Sequence, residues 1–292
     1  MRAPRGAALL LVLWILVLMT GLIAVFALGA RTEGLQGSAL RFQAASRHAA
    51  EAGIELAALK LSSPDPSRRW LPDARPNAFD FEGHRIEVRV QDEAAKFDLN
   101  ATDAPTLAAL MVLLGVDVDL ARQLAGAIQD WRDPDDLVAI EGGAESRDYA
   151  AAGRPYGAKN QPFTTLSELQ QVLDMDEVTY RLLVPHVTVF TAQPRPDPSF
   201  AQAPVLQAMG LNPVQVAELL DLRAAWQPGL PPPILADGTA LAVVGSGTYS
   251  VASRATRPDG TSVEVTATLR VGAGPGFGQL YAPLSWRTGD PH

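Results

Sequence analysis

The stretch from Asp130 to Tyr149, DWRDPDDLVAIEGGAESRDY, holds the densest group of side chains able to do chemistry in this chain. Asp130, Asp133, Asp135 and Asp136, then Glu141, Glu145 and Asp148 across a Gly-Gly turn, place seven carboxylates within nineteen residues. The helical pattern upstream ends near Arg132, so the carboxylates fall just past a helix C-terminus. The macrodipole disfavours negative charge there unless a cation compensates. Hard oxygen donors in a flexible loop suit calcium, which takes about 6–8 of them. The Asp-x-[Asp/Asn]-x-[Asp/Asn]-Gly order of an EF-hand is absent. The run therefore either holds an ion in another geometry or is a solvated acidic loop.

The remaining candidates for chemistry are poorer. Gly245-Ser246-Gly247 follows an apolar stretch, but Ser250 stands where a dinucleotide loop needs its third glycine and a strand pattern follows, so it reads as a bend. Gly272–Gly278 reads as a loop. His48, His84, His186 and His292 show no metal or triad spacing, and His48 falls on the surface of a long helix. With no cysteine in the chain, thiol catalysis, cysteine metal sites and disulfides drop out. No enzymatic activity is expected. Trp70, Trp131, Trp226 and Trp286 read as core anchors, and Trp14 lies in an apolar run.

The acidic loop sits inside a helical middle. APTLAALMVLLGVDVDLARQLAGAIQDWR, from Ala104, is echoed by APVLQAMGLNPVQVAELLDLRAAW, from Ala203, and more faintly by LSELQQVLDMDEVTYRLLVPHV, from Leu166. Each reads as a helix, a tight turn and a second helix. In DNA-binding proteins such turns approach phosphate, but here Asp117, Asp119, Asp174 and Asp176 occupy them. Between Lys96 and Phe190 fifteen acidic residues face seven basic ones, while the rest of the chain is balanced. That sign opposes phosphate neutralisation, so no nucleic acid is expected as a partner and the hairpins read as packed scaffold.

Two further elements must carry this middle. From Ala7 to Ala30 no residue is charged, and at about 1.5 Å per residue the run reaches across a hydrocarbon core of about 30 Å. Arg2 and Arg5 hold the N-terminus in the cytoplasm. A secretory signal, a plain anchor and a prepilin-type signal share this topology. The run exceeds the apolar region of about 7–15 residues that a secretory signal uses, whereas Arg5-Gly6-Ala7 fits the third: a basic residue, a glycine, then a small residue. Past Ala30 an apolar stripe through Leu35, Ala39, Phe42, Ala45, Ala49, Ala52, Leu56 and Leu59 continues one helix to about Leu61, and Pro64 and Pro66 end it.

The second element is a sheet. Ile86, Val88 and Val90 alternate with polar residues as a half-buried strand. Its natural partners are the two strands joined at Arg257-Pro258-Asp259-Gly260, roughly 140 residues on in the sequence. The sheet closes most simply if the middle is an insertion. The boundaries read as a leader, 1–6; a membrane and spine helix, 7–62; sheet segments, 79–95 and 240–292; and helical insertion domains, 96–190 and 196–235, divided by the proline-rich TAQPRPDPSF.

A leader ending at Gly6, a long N-terminal helix, a split sheet and a helical insertion together resemble the K minor pseudopilins of bacterial type II secretion systems, over essentially the whole chain. The most specific pieces are Lys96-Phe97-Asp98-Leu99-Asn100-Ala101-Thr102-Asp103, Asp130-Trp131-Arg132-Asp133 with the acidic loop and Tyr149, Asn160-Gln161-Pro162-Phe163 leading to Ser167-Glu168-Leu169, and Leu284-Ser285-Trp286-Arg287. The resemblance implies an α+β fold: a pilin-like N-terminal helix on a small antiparallel sheet, with a large all-helical insertion of SAM-like helical hairpins. It implies cleavage by prepilin peptidase between Gly6 and Ala7, and structural calcium on Asp133, Asp135, Asp136 and Glu145. It also implies a single pass through the inner membrane with the soluble part periplasmic, and a place at the pseudopilus tip above the I and J minor pseudopilins. Leu11 stands where most pilin-like proteins carry a glutamate five residues after the cut. The alternatives are a membrane-anchored DNA receptor and a membrane-tethered periplasmic enzyme.

Overall fold

The structure, a computed structural model, describes residues 7–140, 142–235, 238–272 and 280–289. Gly6, Glu141, His292 and all but the first residue of the Gly272–Gly278 loop lie outside the described residues.

Helix α1 runs unbroken from Ala7 to Leu61, 55 residues. Its segment Leu9–Arg31 is long and apolar enough to cross a membrane, and none of it is buried within the protein. Burial begins at Ser46 and continues through Ala49, Ala50, Ile54, Ala57, Ala58 and Leu61, a stripe of mostly small residues at helical spacing. Small side chains let the helix lie close on the sheet. A Cβ at Gly53 would run into the side chains of Ser253, Val88 and Ile86. Past Leu61 the Asp65 carboxylate caps a short 3-10 turn, Pro66–Arg68, that turns the chain away.

The sheet strands are β1 (Asp73–Phe81) and β2 (His84–Asp92), followed after the short parallel pair β3 (Phe97–Asp98) and β4 (Val187–Thr188) by β5 (Thr248–Thr256), β6 (Ser262–Val271) and β7 (Tyr281–Thr288). The large sheet has the order β1-β2-β5-β6-β7, each pair antiparallel. β2 pairs with β5 from Arg85↔Thr256 to Asp92↔Tyr249, so strands split by the insertion are direct neighbours, as the alternation around Val88 implied. Ile86, Val88, Val90, Val251, Val265, Ala267 and Leu269 meet α1 in one apolar cluster.

The sheet also begins earlier than the expected boundary at residue 79. β1 escaped the alternation because Ala74 adopts φ +66° beside a register shift, and Pro76 interrupts the pattern. Pro is tolerated there because β1 is an edge strand. Trp286 corrects another expectation: it lies on edge strand β7 and is 38% exposed, and Trp70 and Trp226 are only half-buried. Trp131 alone of the four is fully buried.

Two contacts orient the sheet along α1. The buried Ser46 hydroxyl meets His84 Nε2 at 3.0 Å at one end of the strands, and Tyr281 donates to Glu55 at 2.6 Å at the other. The insertion leaves after Asp92 and returns at Thr248, both at the Glu55 end. It therefore sits on the end of the sheet farther from the apolar half of α1.

The insertion contains α2 (Ala104–Leu113), α3 (Val118–Arg132), α4 (Ser146–Ala151), a 3-10 turn (Leu166–Gln171), α5 (Glu177–Leu183), α6 (Ala203–Ala208) and α7 (Pro213–Ala225). The repeated hairpins are α2–α3 and α6–α7. α6 packs on α2, and residues from Ala95 to Leu241 share one apolar core, so the modules read as 96–190 and 196–235 are joined in packing. The boundary with the sheet is polar and buried. Lys96 Nζ donates to Glu93 at 2.6 Å and to Ser250 at 2.5 Å, and Thr188 donates to Glu93. Asp92 accepts from the amide and hydroxyl of Ser246, which gives the Gly-Ser-Gly bend a structural role.

Candidate metal centre

α3 is amphipathic and starts from Asp117, whose side chain caps the amides of Asp119 and Leu120. Its last turn turns Asp130 and Trp131 inward and stops at Arg132. Arg132 is held there by the carbonyls of Leu99 and Thr102. Beneath the turn Trp131 packs on Tyr149 and Phe163, with ring centroids 5.9 and 6.3 Å away, and the Tyr149 hydroxyl accepts from Leu173 N at 3.0 Å. Asn100 exchanges two hydrogen bonds with the backbone of Phe163, at 3.0 and 2.7 Å. Asp98 accepts from the amides of Asn100, Thr191 and Ala192. These bonds staple three of the motifs that carried the resemblance, 96–103, 130–133 and 160–163, around the end of α3, whereas Leu284-Ser285-Trp286-Arg287 lies on β7.

The chain then folds back over α3. A Cβ on Gly126 would land on the Gly142 carbonyl, and one on Gly143 would strike the Asp130 carboxylate. The Gly-Gly turn is thus a close-approach device, matched by a glycine in the middle of α3. It delivers Glu145, at the N-terminus of α4, to the end of α3. Oxygens of Asp130, Asp133 and Glu145 come within 4.8 Å of one another.

This group is short of partners. Asp130 is fully buried and accepts from the Ala139 amide, at 3.1 and 3.2 Å, with the Ala144 amide also turned toward it. Glu145 is 2% exposed, and its carboxylate oxygens meet only the first amides of α4, none in good hydrogen-bond geometry; Asp133 Oδ1 is likewise unpartnered. Burial, then the charges of Asp130, Asp133 and Asp136, push Glu145 up to about 7. Burial, with Asp133 and Asp135 nearby, pushes Asp130 up to about 6 against the opposing amides of Ala139 and Ala144. Asp133 is also raised, by burial and by Asp135. Three carboxylates crowded out of water cannot all ionise without a compensating charge. An all-oxygen set with unsatisfied buried donors fits a hard divalent cation such as calcium.

Of the residues assigned to calcium from the resemblance, the structure brings Asp133 and Glu145 into this group. Asp135 and Asp136 stand beside it, near enough for their charges to act on Asp133 and Glu145, with their carboxylates engaged elsewhere. Asp135 Oδ1 accepts from Leu137 N at 2.9 Å, and Asp136 Oδ1 accepts from Asn160 Nδ2 at 3.2 Å. The third member is Asp130, present in the acidic run but not selected, because helical phase alone does not say that the loop closes over it. Asn160 has a buried, unpartnered Oδ1 and φ +52°, and its place beside the loop had no local sequence signal beyond its motif.

Residues 88–192, which include this whole site, match the family described as Type II secretion system (T2SS), protein K. The chain is 29% identical over 271 residues to the type II secretion system protein K of Pectobacterium carotovorum, covering 78% of this chain and 81% of that protein. It is also 29% identical over 164 residues to that of Pseudomonas aeruginosa, covering 53% and 49%. The aligned stretch thus spans about half the length of the Pseudomonas relative. A chain in the crystal structure of the GspK-GspI-GspJ complex of enterotoxigenic Escherichia coli shares the fold, with TM-score 0.55 and 22% identity over 89% of this chain and 99% of that one. On its site-bearing domain and these relatives together, the chain is similar to the type II secretion system protein K family.

Proposed function

We propose that this protein is a minor pseudopilin of a type II secretion system and caps the tip of the periplasmic pseudopilus. The observation that carries this reading is the position of the insertion, on the end of the sheet away from the apolar half of a 55-residue helix. A helical filament repeats one heterologous contact from subunit to subunit. A pilin-like spine and sheet can enter such a contact from below, while a helical domain seated on the far end obstructs the next subunit. In this reading α1 is a single-pass inner-membrane anchor with the N-terminus cytoplasmic. Prepilin peptidase cuts between Gly6 and Ala7, and Leu11 leaves the subunit without the carboxylate by which other pseudopilins dock. The subunit supports export of folded proteins across the outer membrane.

Calcium in this account is structural. Asp130, Asp133 and Glu145 would hold it, and it would supply the positive charge that lets the three carboxylates ionise together and tie the end of α3 to the start of α4. The other minor pseudopilins, of the I and J types, are the partners; the complex named for the structural neighbour supports that choice. The test is to mix the full chain with the I and J proteins of the same system and measure the mass of the product. One copy of each in a closed complex is expected. Failure to bind either partner, or open-ended growth of this chain by itself, would overturn the reading.

A further inference from the structure

The face of the sheet turned away from α1 meets the insertion along an open groove of about 570 Å³, within the range of about 300–1,000 Å³ that ligand clefts occupy. Its floor is Ser250, Ala252, Thr266 and Thr268, which alternate with the core residues Val251, Val265 and Ala267 and so point away from the helix. Small side chains there let a main chain come close to the sheet. The wall supplied by the insertion carries Leu166, Tyr180, Val184 and Pro185.

The charge of the groove is opposite to that of the molecule. Arg89, Lys96, Arg181 and Arg287 line it against Glu93 alone, in a chain of net charge −8. Glu93 is engaged by Lys96 at 2.6 Å. Arg89 and Arg181 hold Glu87 and Glu177 at 2.8 and 2.7 Å, in pairs about half exposed, which water weakens and a partner can displace. Arg287, on edge strand β7, forms no ion pair and no side-chain hydrogen bond among the described residues. Three guanidinium groups therefore remain able to take carboxylates in fork-to-fork geometry. A free anion would leave the apolar wall unused, and a nucleic acid would meet the repulsion of an acidic molecule. The groove opens beside the insertion, away from the apolar half of α1, so it does not face a lipid surface.

We propose that this groove binds an extended acidic segment of a second protein. Arg89, Arg181 and Arg287 take its carboxylates, and an apolar side chain between them packs on Tyr180, Val184 and Pro185. This goes beyond the capping role and draws on none of the carboxylates at the end of α3.

The test places the photo-crosslinker p-benzoylphenylalanine at Thr288, on the exposed rim of the groove, in the full chain and in the cells that natively produce it. The same group at Arg85, exposed at the far end of β2, is the control. The expected result is a protein adduct at least tenfold stronger from position 288 than from position 85. Its crosslinked peptide should carry two or more Asp or Glu residues flanking an apolar one. Arg181→Gln with Arg287→Gln should weaken the adduct about tenfold, while Arg287→Lys, which keeps the charge, should retain most of it. Melting of these variants, and their binding to the I and J proteins, should match the parent, which separates this proposal from the capping reading. No adduct, equal adducts at 288 and 85, an adduct to lipid, nucleic acid or a second copy of this chain, a crosslinked peptide without acidic residues, or insensitivity to the two Arg→Gln changes would each overturn it.

Discussion

Glu145 is nearly sealed from solvent with no well-formed hydrogen bond to either carboxylate oxygen, and what a cation does for it can be measured. If calcium binds there, it stabilises the folded state by about 2.7 kcal/mol at a hundredfold excess over Kd. The melting temperature should rise with calcium and fall with chelator. Asp130→Asn and Glu145→Gln should each abolish the shift, while Asp136→Asn should leave most of it. The metal-free protein should also show a characteristic pH slope. Asp130 and Glu145 hold their protons up to about 6 and about 7 when folded, above ordinary values of 3.8 and 4.5. The folded chain thus binds more protons than the unfolded one in this window, and metal-free stability should fall as pH rises from about 4 through about 7. The calcium-induced shift should grow over the same range, and melting curves at pH 5 and pH 8 decide it. The acidic run was legible as a site because seven carboxylates crowd one stretch. Which of them turn inward was not, because that depends on the Gly142 carbonyl reaching Gly126 from a different element.

Among the elements, α1 was the most legible, since an uncharged run followed by a stripe at spacings of three and four leaves no strand alternative, and the prolines after Leu61 mark its end. β2, β5 and β6 were legible from their alternation. β1 was hidden by a bulge and by Pro76, and the burial of Asp92, Glu93 and Lys96 by the fact that each is satisfied by a residue far away in sequence. The contact of α1 with the sheet gives a test in which two effects compete. Ala is about 1 kcal/mol better than Gly in a helix interior, but overpacking a tight contact costs about 1–3 kcal/mol. At Gly53 a Cβ meets three sheet side chains, and at Gly37 it meets nothing within 4 Å. Gly53→Ala should therefore destabilise the soluble part by about 1 kcal/mol or more, and Gly37→Ala should leave its unfolding midpoint in denaturant unchanged or raised. Equal effects at the two positions would contradict the close helix–sheet approach.

For the whole molecule, the insertion and the sheet are separable in a specific sense. Asp92 and Tyr249 are register partners on neighbouring strands, so a tight turn replacing residues 93–247 would join β2 to β5 as an ordinary hairpin. If the spine and sheet form the interface, that shortened chain, shown to be folded by its far-UV spectrum and cooperative melting, should bind the I and J minor pseudopilins within about tenfold of the parent. It should no longer limit growth. That the middle is an insertion could be read from sequence alone, because a lone alternating segment needs partners that only the C-terminal third supplies. That the two hairpins share one core, and sit on the end of the sheet away from the apolar half of α1, required the structure. The capping claim itself is tested most directly by the position of this chain in isolated pseudopili, determined by electron cryomicroscopy with a label on an exposed insertion residue such as Val178. One label per filament, at the end opposite the membrane anchors, is the predicted result; labels repeated along the shaft would contradict the account.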